Sequence, residues 1–413
     1  MRFLKPLKNL GPGLLVAATG VGAGDLIAAS VGGANYGYLI LWSAIIGAII
    51  KYALNEGVAR WQLASNSSII EGWRQYFPPW VSVYFLVYLL IWSFIVGAAL
   101  SGAVGLAAHA IFPSLSVPVW GIIHAIIALV LVIFFNYSWF EKIMKLLIAS
   151  MFLLVIITTL LSSPNWISVL KGIVILQIPK GSILLILGII GGVGGSVSIL
   201  SYGYWIKEKK WNNSKDMSKV KLDLAIAYIL TAFFALAVMV IAAEVKPEAI
   251  SGNKMVLELA NKIGENTNML GKWLFLIGFW GAVFSSMLGV WQGIPFLFAD
   301  YMKARNTKKA IAVHENENSE SIAKQDRKNY LFFLFFLAIP PLLLLFFQKP
   351  VWIVITYAII GSLFMPFLAY TLYWLNNKKN EKLKNPSYIN ILLFLALLLF
   401  LVLMALKIYN LFA

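Results

Sequence analysis

Residues 11–31 read GPGLLVAATGVGAGDLIAASV. The stretch is long and apolar enough to cross a bilayer, whose hydrocarbon core takes about 20 apolar residues as a helix. Its middle, Gly20-Val21-Gly22-Ala23-Gly24-Asp25, nevertheless carries three glycines and a carboxylate. A glycine inside a helix costs about 1 kcal/mol relative to alanine, so the helix is weakest where the bilayer is deepest. Unwound backbone survives at that depth only when it is buried in protein or lines a cavity. The pattern recurs. Residues 182–205 contain Gly191-Gly192-Val193-Gly194-Gly195-Ser196, again in the middle of an apolar run.

Outward from these two stretches the whole chain reads the same way. Apolar runs of helical length fall at 11–31, 39–63, 80–106, 117–136, 140–163, 182–205, 221–245, 270–299, 329–348, 351–375 and 386–411. Of the 413 residues, 61% are hydrophobic and only 12% charged, against about 25% charged in a soluble domain. The surplus must face lipid, which accepts helices or a closed barrel. Barrel strands would alternate in polarity over about ten residues, and these runs do not. The fold class is therefore an all-α polytopic membrane protein with about eleven transmembrane helices. Because ten more runs follow the first, 11–31 is read as a retained span and not as a cleaved signal peptide.

The formal net charge is +16. Most of its basic residues lie in the links between spans or near span ends, with Lys51 and Arg60 inside span 2, and they form no patch of the kind that reads nucleic acid; no nucleic-acid partner is expected. Arg2, Lys5 and Lys8 precede span 1, Lys207, Lys209 and Lys210 follow span 6, and a basic run at 303–309 follows span 8. By the positive-inside rule these segments are cytoplasmic, which puts the N-terminus inside and the C-terminus on the opposite side of a plasma (inner) membrane. The link 300–328, basic and then acidic at Glu315 and Glu317, reads as a solvated loop. There is no cysteine, so disulfides and thiolate ligands are excluded.

The two Gly-rich stretches open two blocks of five spans, 11–163 and 182–375, with 386–411 as an extra helix. An odd number of spans inverts the second block relative to the first, as in inverted-repeat transporters, where substrate sites sit at interrupted helices near the midplane. Freed carbonyls next to a carboxylate make an oxygen cage for a cation. The expected ion-binding set is Asp25, Gly22, Gly192, Gly195 and Ser196, with Asp25, Gly22 and Ser196 as metal ligands. Asp25 is the only acidic residue before Glu56, and a mid-membrane carboxylate is functional by default. Its bland alternative is a structural acid paired with a buried base, for which Lys51 is the main partner. The glycines have a bland alternative too, close helix packing. Glu56 and Arg60 at i, i+4 read as a structural ion pair on the helix surface, and His124 as a packing residue. Ser285 and Ser286 in span 8 are weak signals by themselves. No nucleophile–base set or carboxylate pair is present, so no enzyme and no cofactor are expected.

Three segments resemble the Nramp (natural resistance-associated macrophage protein) divalent-metal transporters: Gly11-Pro12-Gly13-Leu14-Leu15-Val16-Ala17 through Gly37-Tyr38, Tyr137 through Leu146 with Glu141, and Leu187-Gly188-Ile189-Ile190-Gly191. The resemblance runs in order over spans 1–10. It implies a LeuT-type fold, a 5+5 inverted repeat plus one helix, and movement of a divalent cation by alternating access. The family's span 1 motif, Asp-Pro-Gly-Asn, falls on Gly22-Ala23-Gly24-Asp25, so the carboxylate is kept but moved by about one turn. Its span 6 Met-Pro-His falls on Gly195, Ser196 and Val197. Loss of the thioether favours a harder ion such as Mg²⁺ over soft transition metals. The acids of its span 3 fall near Val96 and Ala99 and the basic residue of its span 9 near Phe335, losses that weigh against proton coupling. Two other readings remain: an ion-coupled symporter of a small organic substrate on the same fold, and a membrane protein that transports nothing. The sequence leaves the ion and the oligomeric state open.

Overall fold

The computed structural model describes residues 11–22, 24–192, 194–245, 255–310, 319–347, 350–379 and 382–412. Arg2, Lys5, Lys8, Glu315 and Glu317 lie outside the described residues, and at Asp25 the backbone alone is described. Among the described residues there is no strand. The chain opens with α1 (Pro12–Gly20), a π-turn (Gly24–Ala28) and α2 (Ala29–Tyr36). Next come α3 (Trp42–Ser65), α4 (Ile69–Tyr76), α5 (Pro79–Ile111), α6 (Val117–Phe134), α7 (Tyr137–Leu161) and α8 (Trp166–Val174). The second glycine stretch divides α9 (Ile183–Gly192) from a 3₁₀ turn (Val197–Ser201) and α10 (Tyr202–Glu208). After it come α11 (Met217–Val245), α12 (Met255–Asn266), α13 (Met269–Ala310), α14 (Ser319–Ala338), α15 (Leu344–Phe347), α16 (Pro350–Leu363), α17 (Met365–Lys378) and α18 (Ser387–Phe412).

Each expected span falls on helix, and both glycine stretches are breaks. Eight helical stretches among the described residues are long and apolar enough to cross a membrane. The α1–α2 span is not among them. The 24-residue α3 carries Lys51, Glu56 and Arg60, but all three are buried in protein and never meet lipid. The lipid-facing side shows in the exposed apolar stripes of α5 (Val83, Val87, Ile91) and α7 (Leu146, Leu153, Leu160). Trp80, Trp139, Trp166 and Trp352 are exposed at the first residues of α5, α7, α8 and α16, the positions where indole rings sit at the headgroup level.

Several features differ from the expectation. The link 300–328 is no simple loop: α13 continues to Ala310 and α14 starts at Ser319. Span 9 is interrupted after Ala338, where Pro340 and Pro341 open a 3₁₀ turn, and span 10 is divided at Phe364, two residues before Pro366. A proline supplies no N–H to the helix ladder and crowds the preceding turn. Three short helices, α4, α8 and α12, join spans where only links were expected.

The broken helices form the middle of the bundle. Residues 186–192 of α9 are all buried, and so is nearly all of α1. A helix apolar all round belongs inside. Around them, α11 packs on α1, α2 and α3, α13 packs on α1, α5 and α7, and α16 packs on α5, α9 and the π-turn.

Candidate functional site: two facing helix breaks

The last carbonyls of an α-helix have no partner within it, so each break must find donors. At the first break, the Val21 N–H closes the helix on Ala17 O at 2.8 Å, and Val21 then leaves helical geometry. The Gly22 N–H turns back to Gly20 O at 2.9 Å, and Leu26 N–H donates to Gly22 O at 3.0 Å. The two carbonyls left over are taken by α13: Ser285 Oγ donates to Ala18 O (3.0 Å) and Ser286 Oγ to Thr19 O (2.6 Å). Ser286 also fills the place where a Cβ on Gly22 would stand, and Thr19 fills that of Gly289 on α13. The stripe Ser285, Ser286, Gly289 and Gly293 thus admits both broken helices at close range, since Gly293 abuts Ser201 and Trp205.

At the second break, Gly195 N–H donates to Gly192 O at 2.9 Å. Gly194 and Gly195 have φ of 74° and 82°, a region that only glycine enters without strain. Lys51 of α3 donates from Nζ to Gly191 O at 2.8 Å and to Gly195 O. One turn on, Asn55 Nδ2 donates to Tyr228 OH at 3.1 Å, and the Tyr228 ring packs on Gly194.

The two breaks meet. A Cβ on Gly20 would lie 2.5 Å from the carbonyl carbon of Gly194, and one on Gly195 would lie 3.7 Å from the Gly20 Cα. Of the expected set, Gly22, Gly192, Gly195 and Ser196 are all buried here. The hydroxyls of Thr19, Ser196 and Ser201 are buried without a hydrogen-bond partner among the described residues. Asp25 belongs to the π-turn that follows the first break, but its side chain, and with it any Lys51–Asp25 link, is outside the described residues. Among the described residues no three acidic or imidazole side chains converge. What the breaks present is main-chain carbonyl and hydroxyl oxygen, the donor type of hard cations.

Other groups fall into place around this centre. Glu56 and Arg60 do pair, in a bidentate contact with Arg60 Nε at 3.2 Å from Glu56 Oε2, but the pair is buried and not on the helix surface. Arg60 also donates to Lys384 O at 3.0 Å. His124 is satisfied: its Nδ1 lies 2.8 Å from Trp120 O and its Nε2 accepts from Trp280 Nε1 at 3.0 Å. Two arrangements escaped sequence reasoning. Asp223 of α11 accepts from the N–H groups of Gly11 (3.4 Å) and Gly13 (2.6 Å) and from Tyr202 OH (3.0 Å), tying the start of α1 to α10. Glu141 of α7 holds Lys145 at 2.6 Å and Lys209 at 2.7 Å. An acid near the start of an apolar span was the one available signal, and it was as strong at Asp223 as at Glu141. On the same side, a cavity of about 600 Å³ runs between α6, α7, α10, α13 and α14, lined by Tyr137, Lys207, Glu208, Gln292 and Asp300 among others.

Two interrupted helices that meet inside a bundle of lipid-facing ones define the class: an integral membrane protein of the LeuT-type fold. A solved structure of a mutant manganese transporter from Eremococcus coleocola shares that fold at a TM-score of 0.71, with 15% identity over 97% of this chain and 86% of that one. MhsT in complex with L-phenylalanine is a more distant likeness, at 0.55 and 16% identity over 95% and 97% of the two chains. The family model described as natural resistance-associated macrophage protein-like (Nramp) matches residues 13–413. The chain belongs to the Nramp family. Among curated relatives, the divalent metal cation transporter MntH of Staphylococcus haemolyticus is 27% identical over 246 residues, 55% of this chain and 54% of the relative. MntH of Nostoc sp. is 22% identical over 284 residues, 65% of this chain and 62% of the relative. The matched stretch thus spans roughly half to three fifths of these relatives' length.

Proposed function

We propose that this protein is a secondary transporter that moves a divalent metal cation across the plasma membrane by alternating access, with its N-terminus cytoplasmic and its C-terminus outside. Asp25 is the charged ligand. The carbonyls of Gly22, Gly192 and Gly195 and the hydroxyl of Ser196 complete an oxygen shell, with water. Residues 11–163 and 182–375 act as two inverted five-span repeats, and 386–411 as an added helix. The observation that carries the reading is the meeting of the two breaks at Gly20 and Gly194, beside buried hydroxyls of Thr19 and Ser196 that have no partner among the described residues. Membership of a family whose relatives include named divalent metal cation transporters supports it. An all-oxygen shell favours Mg²⁺ or Mn²⁺ over softer ions.

The test is uptake of Mg²⁺, Mn²⁺ and Ca²⁺ into proteoliposomes, with and without a pH gradient, by wild type and Asp25→Asn. Uptake by wild type that Asp25→Asn abolishes is the expected result, with no dependence on the gradient. Metal-independent uptake of an organic solute, or no uptake of any ion, would overturn the reading.

A further inference from the structure

The two breaks satisfy their carbonyls in different ways. Those of α1 are held by two neutral hydroxyls, Ser285 and Ser286. At the second break the ammonium of Lys51, fully buried on α3, reaches Gly191 O at the end of α9 and Gly195 O just beyond it. A hydroxyl would have been enough to satisfy a carbonyl. A full charge adds an offset to negative potential, which the C-terminus of a half-helix carries. Lysine suits this task as a compact point charge with three donors on a flexible four-carbon stem.

The Gly195 carbonyl is also among those expected to ligate the transported ion. An ammonium and a dication cannot share it, because like charges at contact distance repel strongly away from water. We infer that Lys51 is a built-in competitor: with no ion in the breaks its ammonium holds the oxygens of Gly191 and Gly195, and an incoming cation gains them only as the ammonium withdraws. The inference rests on the transport reading above and assigns Lys51 a role in ion selection. A monovalent ion brings the same charge as the tethered group it must displace, so it competes poorly. A dication brings twice the charge to the same oxygens and succeeds. Lys51 thus sets a threshold of charge that excludes Na⁺ and K⁺. It is a positioning residue, acting through the carbonyls and not as a ligand itself.

The experiment measures Mn²⁺ uptake in proteoliposomes as a function of Mn²⁺ concentration, in choline or in K⁺ medium, for wild type, Lys51→Met, Lys51→Gln and Lys51→Arg. Gln keeps a hydrogen-bond donor for one carbonyl if Met compromises folding, which size-exclusion and thermal unfolding report. Wild type and Lys51→Arg are expected to ignore K⁺. The neutral variants are expected to show an apparent KM for Mn²⁺ lower by about tenfold, equivalent to about 1.4 kcal/mol, and to be inhibited competitively by K⁺. Neutral variants that take up Mn²⁺ where wild type is silent also support the inference. If wild type transports and the folded neutral variants keep its KM and its indifference to K⁺, Lys51 is only a filler, and the inference falls while transport stands. Silence of every protein overturns both.

Discussion

At Gly194 the φ of 74° and the Tyr228 ring, 2.5 Å from where a Cβ would stand, act together. A β-carbon there must enter the left-handed region, at about 1–2 kcal/mol, and push an aromatic ring held by Asn55, at about 1–3 kcal/mol. Gly194→Ala should therefore lower stability by about 3 kcal/mol, read as thermal unfolding in detergent. Gly188 supplies the contrast. It lies inside α9 with nothing nearer than the Ala28 Cβ at 4.0 Å, so Gly188→Ala should be neutral or stabilise by up to about 1 kcal/mol. Equal losses at both positions would mean that the left-handed turn is not what makes Gly194 special. The sequence disclosed these glycines by their clustering alone. It named Lys51 as a base near Asp25 but could not reveal that its ammonium reaches the opposite break, because that contact joins residues 140 and 144 positions apart. The i, i+4 spacing gave the Glu56–Arg60 pair correctly. The pair is buried where α17 and α18 pack on α3, contacts between distant segments that no local pattern encodes.

Among the elements, α1 is far from self-sufficient: nine residues, no side-chain cap of its own, and no charge in either end turn. Nine residues are too few for a helix to persist unaided. Asp223 supplies the missing cap from α11, placing a carboxylate at the positive end of the helix dipole and accepting from Gly13 N–H at 2.6 Å. Asp223→Asn should cost about 1–2 kcal/mol and raise amide exchange along residues 13–20 while leaving the interior of α11 protected. Unchanged exchange in α1 would show that packing against α11 and α13 holds it without the cap. Hydropathy located every long helix but not the finer divisions. Pro340 and Pro366 stand within apolar runs whose averages are unaffected by a single missing N–H. The short α4 is amphipathic with a complete capping box, Ser68 and Glu71 exchanging backbone hydrogen bonds at 3.1 and 2.9 Å. Its eight residues are too few to stand out in a window sized for a membrane span.

Over the whole molecule the fold was legible because one quantity, apolar surplus, dictates lipid exposure, and lipid leaves helices as the answer. The candidate site was legible only at the level of two breaks. The ties around it join residues distant in sequence, such as Glu141 of α7 and Lys209 at the end of α10. Glu141 is the clearest: it holds Lys145 and Lys209 together, and a Cβ on Gly11 would lie 2.6 Å from its carboxylate oxygen. Glu141→Gln leaves two ammonium groups facing each other. It should separate α7 from the end of α10, seen as a longer, broader distance distribution between spin labels on cysteines introduced at exposed positions of the two helices. The chain has no cysteine of its own to interfere. An unchanged distribution would mean that the ion triad does not hold the two helices together. The contact of Gly20 with Gly194 has a mechanical consequence. Two main chains touching directly have no side chain between them whose rotamer can yield, so neither half can slide past the other by small adjustments. The junction offers a stiff pivot: in the alternating access proposed above, α1 and α10 would swing about it together, like paired levers on a single pin.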